Sequence, residues 1–204
     1  MKLHIFDLDG TLADSNPVWD TADRGLVRKY SLDLTEEEIS SLAAMIYEDL
    51  YAFLVKKGLP DVGLARIKDE LDDIALYEYE HNVPLKKGAK EYLAKVKAAG
   101  DRAVLLTASP ERLYNAVLSR YDAMKYLDDA WCTDDLHLPK SDKRVFLYVA
   151  YKMGFDPSDC IVYEDSQTAL LSAMDAGMRA VCVKDDFSNP TEYDSRINDF
   201  TELL

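Results

Sequence analysis

Five short runs of almost unbroken apolar residues punctuate this chain, at Leu3–Phe6, 103–106, 130–132, 160–163 and 180–183. A strand with one face in water alternates apolar and polar residues. A run that does not alternate predicts a strand buried on both faces, as in a parallel sheet covered by helices. The run at 130–132 is the weakest. Helical segments at 110–119, 142–153 and 166–176 separate the last four runs, and Gly154 and Gly177 stand where two of these helices should end. Alternating strand and helix predicts the α/β class, a doubly wound parallel sheet.

The first and second runs are too far apart for one crossover. The stretch 16–88 holds no convincing strand. Thr35-Glu36-Glu37-Glu38 has the form of a capping box. Ile39, Leu42, Ala43, Ile46, Leu50, Phe53 and Leu54 then fall on one helical face until Gly58-Leu59-Pro60 breaks it. A second helix is predicted from Leu64 to about Glu80. We therefore expect a helical domain at 16–83 inserted into a core built from 1–15 and 84–204. The acidic runs 36–38 and 69–73 read as solvated helix surface.

The formal net charge is −14. Such a surface repels nucleic acid and anionic membranes, so neither is an expected partner. Three scattered cysteines, Cys132, Cys160 and Cys182, sit in apolar runs and read as buried reduced thiols; no zinc spacing is present. LHIF is too short for a signal-peptide core, and no apolar stretch reaches membrane-spanning length. A cytoplasmic protein, monomeric or weakly dimeric, is expected.

Ligands of open α/β sheets bind outside the carboxyl ends of the strands. The first strand delivers Asp7-Leu8-Asp9-Gly10-Thr11 there. The second delivers Thr107-Ala108-Ser109, the loop after the third carries Lys140, and the fourth delivers Glu164-Asp165. Two aspartates two residues apart repel, so water solvates them, a cation lies between them, or one keeps a proton. Converging carboxylates make a hard oxygen site suited to Mg²⁺, which would also draw a dianion to an acidic protein. A phosphate could then lie against Thr107, the amides at 108–109 and Lys140. One aspartate could attack phosphorus while its neighbour carries the proton. Alone, each feature has a plainer reading, as a surface turn, a helix cap or a solvated lysine. Their order at consecutive strand ends carries the functional one.

Over nearly its whole length the chain resembles the haloacid dehalogenase-like hydrolase superfamily, through FDLDGTLADS at 6–15, LLTAS at 105–109, LPKSDKRVF at 138–146 and VYEDSQTALLSAMDAGM at 162–178. The resemblance implies a Rossmann-like core with an α-helical cap inserted after the first strand, of the phosphatase and β-phosphoglucomutase-like branch. It implies Asp7 as nucleophile and Mg²⁺ ligand, and Asp9 as general acid/base and backbone ligand. Thr107 and the Ala108 amide would bind phosphate, and Lys140 would neutralise charge. Asp165 would be a metal ligand, with Glu164 behind it. The retained Asp9 argues for phosphate esters rather than halides or phosphonates, and the inserted segment lacks the Arg-x-Lys-Gly-like stretch of the sugar-phosphate mutases. Ser141-Asp142-Lys143 replaces the usual Pro-x-Pro after the lysine.

The expectation is a Mg²⁺-dependent phosphatase acting on a small phosphorylated metabolite through an aspartyl-phosphate. The alternatives are a sugar-phosphate mutase, a phospho-accepting signalling module, and a non-catalytic binding member of the family. A cap hinged near 14–17 and 83–88 would close over the site. Trp19, Tyr47 and Tyr51 read first as packing between cap helices, and Arg24, Lys56, Lys57 and Arg112 as surface. No role falls to His4, His81 or His137.

Overall fold

The computed structural model describes every residue of the chain except Ala43, Ala44 and Ile46. The described chain divides into two compact units: Met1–Asp14 with Pro84–Leu204, and Ser15–Val83.

The second unit is helical, with α1 (Asn16–Lys29), α2 (Glu36–Leu42), α3 (Tyr47–Lys56) and α4 (Leu64–His81). Pro17 opens α1, where its missing N–H costs nothing. The capping box at α2 forms in both directions: Glu38 N donates to Thr35 Oγ1 at 3.2 Å and Thr35 N to Glu38 Oε2 at 3.0 Å. The single apolar face predicted behind it is carried by two helices. Met45 lies between them in a bend, its N–H turned back to Leu42 O at 2.9 Å, and Ala43 and Ile46 lie outside the described residues. Leu26, Leu42, Leu50, Leu54, Ile67 and Leu71 form the core of this unit.

Ion pairs tie its surface together. Arg24 holds Asp20 and Glu36, and Lys57 holds Glu38. The acidic run 69–73 departs from the solvated expectation. Asp72 is buried, and Glu70 accepts from Tyr30 Oη and Arg66 while pairing with Lys29. Tyr51 Oη donates to Asp61 and accepts from Gly63 N, so it packs within the unit.

The other unit carries a six-stranded sheet: β1 (Leu3–Phe6), β2 (Arg102–Thr107), β3 (Asp129–Cys132), β4 (Cys160–Glu164), β5 (Arg179–Val183) and β6 (Ser195–Ile197). The order is β3-β2-β1-β4-β5-β6 and every pairing is parallel. The helices of this unit are α5 (Ala89–Ala98), α6 (Glu111–Arg120), α7 (Thr133–Leu136), α8 (Arg144–Met153) and α9 (Gln167–Asp175). The short strand β6 and the helices α5 and α7 are additions to the elements read from the sequence. Among the described residues no helix is long and apolar enough to cross a membrane.

Alternation along β1 sorts its residues onto two faces. Leu3 and Ile5 join Val104, Leu106, Val162 and the inner faces of α8 and α9. On the opposite face Phe6 stacks on Tyr163 at 4.6 Å, with Tyr92 and Phe200 around them. His4 shares this face. Its Nδ1 lies 3.1 Å from Tyr163 Oη, which is 2.6 Å from Tyr92 Oη. Burial lowers the His4 pKa against the pull of Asp101. The stretches 12–14 and 84–86 are bound to each other, Asp14 N to Pro84 O and Lys86 N to Leu12 O, both at 2.9 Å. Lys86 Nζ then reaches Asp185 at 2.7 Å beyond β5.

The strand order reverses at β1, which has β2 on one side and β4 on the other. This is the topological switch point, where the crevice outside the carboxyl ends opens. The loops that follow β1, β2 and β4 therefore define the site.

Candidate active site

Asp7 is the residue after β1, and its N–H donates to Tyr163 O of β4 at 3.0 Å. That bond extends the β1–β4 pairing one step and fixes where the carboxylate starts. The chain then turns within a few residues. Gly10, at φ 78°, takes a conformation open to glycine, and its N–H donates to Ala13 O at 2.9 Å. Ala13 N returns to Leu8 O at 2.8 Å. The loop that carries Asp9 is thus closed by its own backbone.

Lys140, in the loop before α8, donates to Asp7 Oδ1 and, at 2.7 Å, to Glu164 Oε1. The Ser166 N–H holds the other Glu164 oxygen at 2.8 Å. Asp7, Glu164 and Asp165 are all buried, and they offer carboxylate oxygens that lie within 4.8 Å of one another. The Lys140 ammonium is bonded to two of these three carboxylates. Burial raises the Asp7 pKa well above the usual range; Lys140 opposes this, while Glu164, Asp165 and Asp9 add to it. Burial also works against the Lys140 charge, but Asp7 and Glu164 outweigh it and the lysine's pKa rises. Lys140 is therefore an ammonium throughout the neutral range.

Hard oxygen donors, buried and in excess of the cationic charge, fit a divalent cation of the Mg²⁺ type. Asp7 and Asp165 are the side chains that would hold it, while Glu164 is bonded to Lys140. The Asp9 carboxylate lies outside this trio.

Thr107 closes β2 and is wholly buried; its Oγ1 accepts the Ser109 N–H at 3.0 Å. The Ala108 carbonyl accepts from Cys132 Sγ at 3.6 Å across the β2–β3 pairing. Ser109 Oγ donates to Asp9 Oδ2 at 2.5 Å. This contact between the first and second strand ends is absent from the sequence reading, which took only the amide of Ser109. A hydroxyl two residues after Thr107 was the available signal. The candidates on the helical unit fare differently from those on the sheet. Arg24 and Lys57 are already paired, and Lys68 Nζ lies over the Tyr47 ring at 4.7 Å.

The parallel sheet thus carries a carboxylate–lysine cluster at its switch point. A family model described as haloacid dehalogenase-like hydrolase matches residues 4–183, and the chain belongs to that family. Among curated relatives it is 29% identical over 181 residues to hexitol phosphatase B of Escherichia coli (strain K12), covering 88% of this chain and 82% of the relative. It is 27% identical to the fructose-1-phosphate phosphatase YqaB of the same organism, covering 88% and 95%. The crystal structure of CbbY from Rhodobacter sphaeroides in complex with phosphate shares the fold at a TM-score of 0.84 and 20% identity, covering 100% of this chain and 96% of that one. The enzyme class that the family and its curated relatives give this chain is phosphoric monoester hydrolase.

Proposed function

We propose that this enzyme is a Mg²⁺-dependent phosphatase that cleaves a small sugar or polyol monophosphate through an aspartyl-phosphate on Asp7. The observation that carries the reading is the convergence of Asp7, Lys140, Glu164 and Asp165 at the switch point of the sheet. The sugar or polyol class comes from the names of the curated relatives.

Each residue has a task set by its place. An Asp7 oxygen attacks phosphorus, and the bond from phosphorus to the ester oxygen breaks. Asp9 gives that oxygen its proton, so the leaving group departs as an alcohol. Water then attacks phosphorus and gives a proton back to Asp9. The acyl–phosphate bond breaks, leaving inorganic phosphate and the Asp7 carboxylate. Lys140 stays bonded to Asp7 and Glu164 and offsets charge as the phosphoryl oxygens approach. The buried Thr107 and the Ala108 amide after it bound the phosphoryl position from β2. A bound Mg²⁺ would supply further neutralisation of the phosphoryl charge.

The test is phosphate release from a panel of sugar, polyol and small-acid monophosphates, with Mg²⁺ and with chelator. Turnover of sugar or polyol esters only with the metal is the expected result. A folded protein that released nothing from the panel, yet isomerised a sugar monophosphate when primed with a bisphosphate, would replace this reading with the mutase one.

A further inference from the structure

We propose that Ser109 is a positioning residue for the proton-transfer group: its hydroxyl holds the Asp9 carboxylate by Oδ2 and so sets the orientation in which that carboxyl exchanges a proton with the ester oxygen. This rests on the phosphatase reading, in which Asp9 is the general acid.

The two residues differ in how they are held. Asp9 is partly buried in the turn after β1, on a side chain with two rotatable bonds. Ser109 is 3% exposed at the end of a central strand. Its N–H is tied to Thr107 Oγ1 at 3.0 Å, and Pro110, at φ −65°, restricts its backbone from the other side. The Ser109 hydroxyl is therefore a fixed point, and the 2.5 Å bond transfers that fixity to Asp9. A general acid has to lie within hydrogen-bond reach of the atom it protonates, and small misplacements lose much of its contribution. A donor on Oδ2 fixes how the carboxylate is turned. The strand ends supply this without any residue outside the sheet-bearing unit.

A positioning role leaves a signature that a packing role does not. Protonation of the leaving oxygen matters for an alkyl phosphate, whose alkoxide leaves poorly, and hardly at all for 4-nitrophenyl phosphate, whose phenolate leaves unaided. The quantity to compare is kcat/KM, which reports the steps through loss of the alcohol. For Ser109→Ala we expect a fall of about tenfold to a hundredfold on the sugar or polyol monophosphate hydrolysed fastest, and less than about threefold on 4-nitrophenyl phosphate. Ser109→Thr, which keeps the hydroxyl, should recover most of the loss. Asp9→Ala should show the same contrast more strongly, and adding Ser109→Ala to it should cost little more.

Equal losses on both substrates in Ser109→Ala, beside a clear contrast in Asp9→Ala, would overturn the positioning role while leaving Asp9 as the acid. No contrast in Asp9→Ala itself would remove Asp9 as the acid, and the inference would fall with it.

Discussion

Lys140 and Asp7 are 133 residues apart in the chain, yet the ammonium of one donates to Oδ1 of the other and, at 2.7 Å, to Glu164 Oε1. This lysine is bonded to two members of the carboxylate trio, and both its side chain and those of its partners are largely buried. Removing it would leave buried negative charge without compensation, which is far costlier than never having placed it there. Lys140→Met should lower kcat by about a hundredfold or more. It should also lower the urea midpoint in chelator, with Mg²⁺ restoring more stability to the variant than to wild type. Equal Mg²⁺ stabilisation of both proteins would mean that the lysine and the metal do not share one electrostatic task.

Asp23 gives a pH dependence with a defined sign. It lies on α1 at 4% exposure and has no hydrogen-bond or ion-pair partner among the described residues. Burial, with a smaller push from Asp20, raises its pKa to about 7. The folded chain therefore binds this proton more tightly than the unfolded chain. The contribution is fully present below the ordinary carboxylate pKa and is lost as pH rises towards 7. Asp23→Asn should raise unfolding stability by on the order of 2 kcal/mol at pH 8 and by little at pH 4. Urea melts of both proteins at the two pH values check this, and a gain confined to pH 4 would reverse the assignment.

Gly88 precedes α5 at φ 74°, and a Cβ placed there would lie 2.7 Å from Thr201 N and 2.9 Å from Phe200 C. Both the left-handed backbone and the close approach of the C-terminal segment require glycine. Gly88→Ala should cost about 2–4 kcal/mol, from backbone strain and displaced backbone together. Gly100 has a similar φ, 80°, with nothing within 4 Å of the added atom. Gly100→Ala should therefore cost only about 1 kcal/mol. Thermal melts of the pair separate conformation from contact.

The sheet was readable because its strands are buried on both faces, so their apolar runs stand out without a partner in view. β6 spans only Ser195–Ile197 at the sheet edge, with Arg196 exposed, and nothing in SRI marks it. The split between α2 and α3 was hidden because Ile39, Leu42, Leu50 and Leu54 keep helical spacing across it, and all are buried. Strand ends are local features, so the sequence could say that Asp7, Asp9, Thr107, Glu164 and Asp165 gather at one rim. It could not say which groups bond. Lys140 choosing Asp7 and Glu164 depends on contacts 133 and 24 residues away. Ser109 reaching Asp9 spans 100 residues. The pairing of His4 with Tyr163 follows from the β1–β4 register, which sets His4 opposite Ile161 and Phe6 opposite Tyr163. None of these partners is fixed by composition or periodicity.

The central claim is that Asp7 is the group phosphorylated during turnover. The most direct measurement compares phosphate release by wild type and Asp7→Asn, each with and without Mg²⁺, on the monophosphate that wild type hydrolyses fastest. Burial and neighbouring carboxylates already disfavour the Asp7 charge, so the amide should fold as well as wild type in the absence of metal. The account predicts turnover only for wild type with Mg²⁺, and a folded, inert Asp7→Asn. Substantial metal-dependent turnover by Asp7→Asn would contradict it.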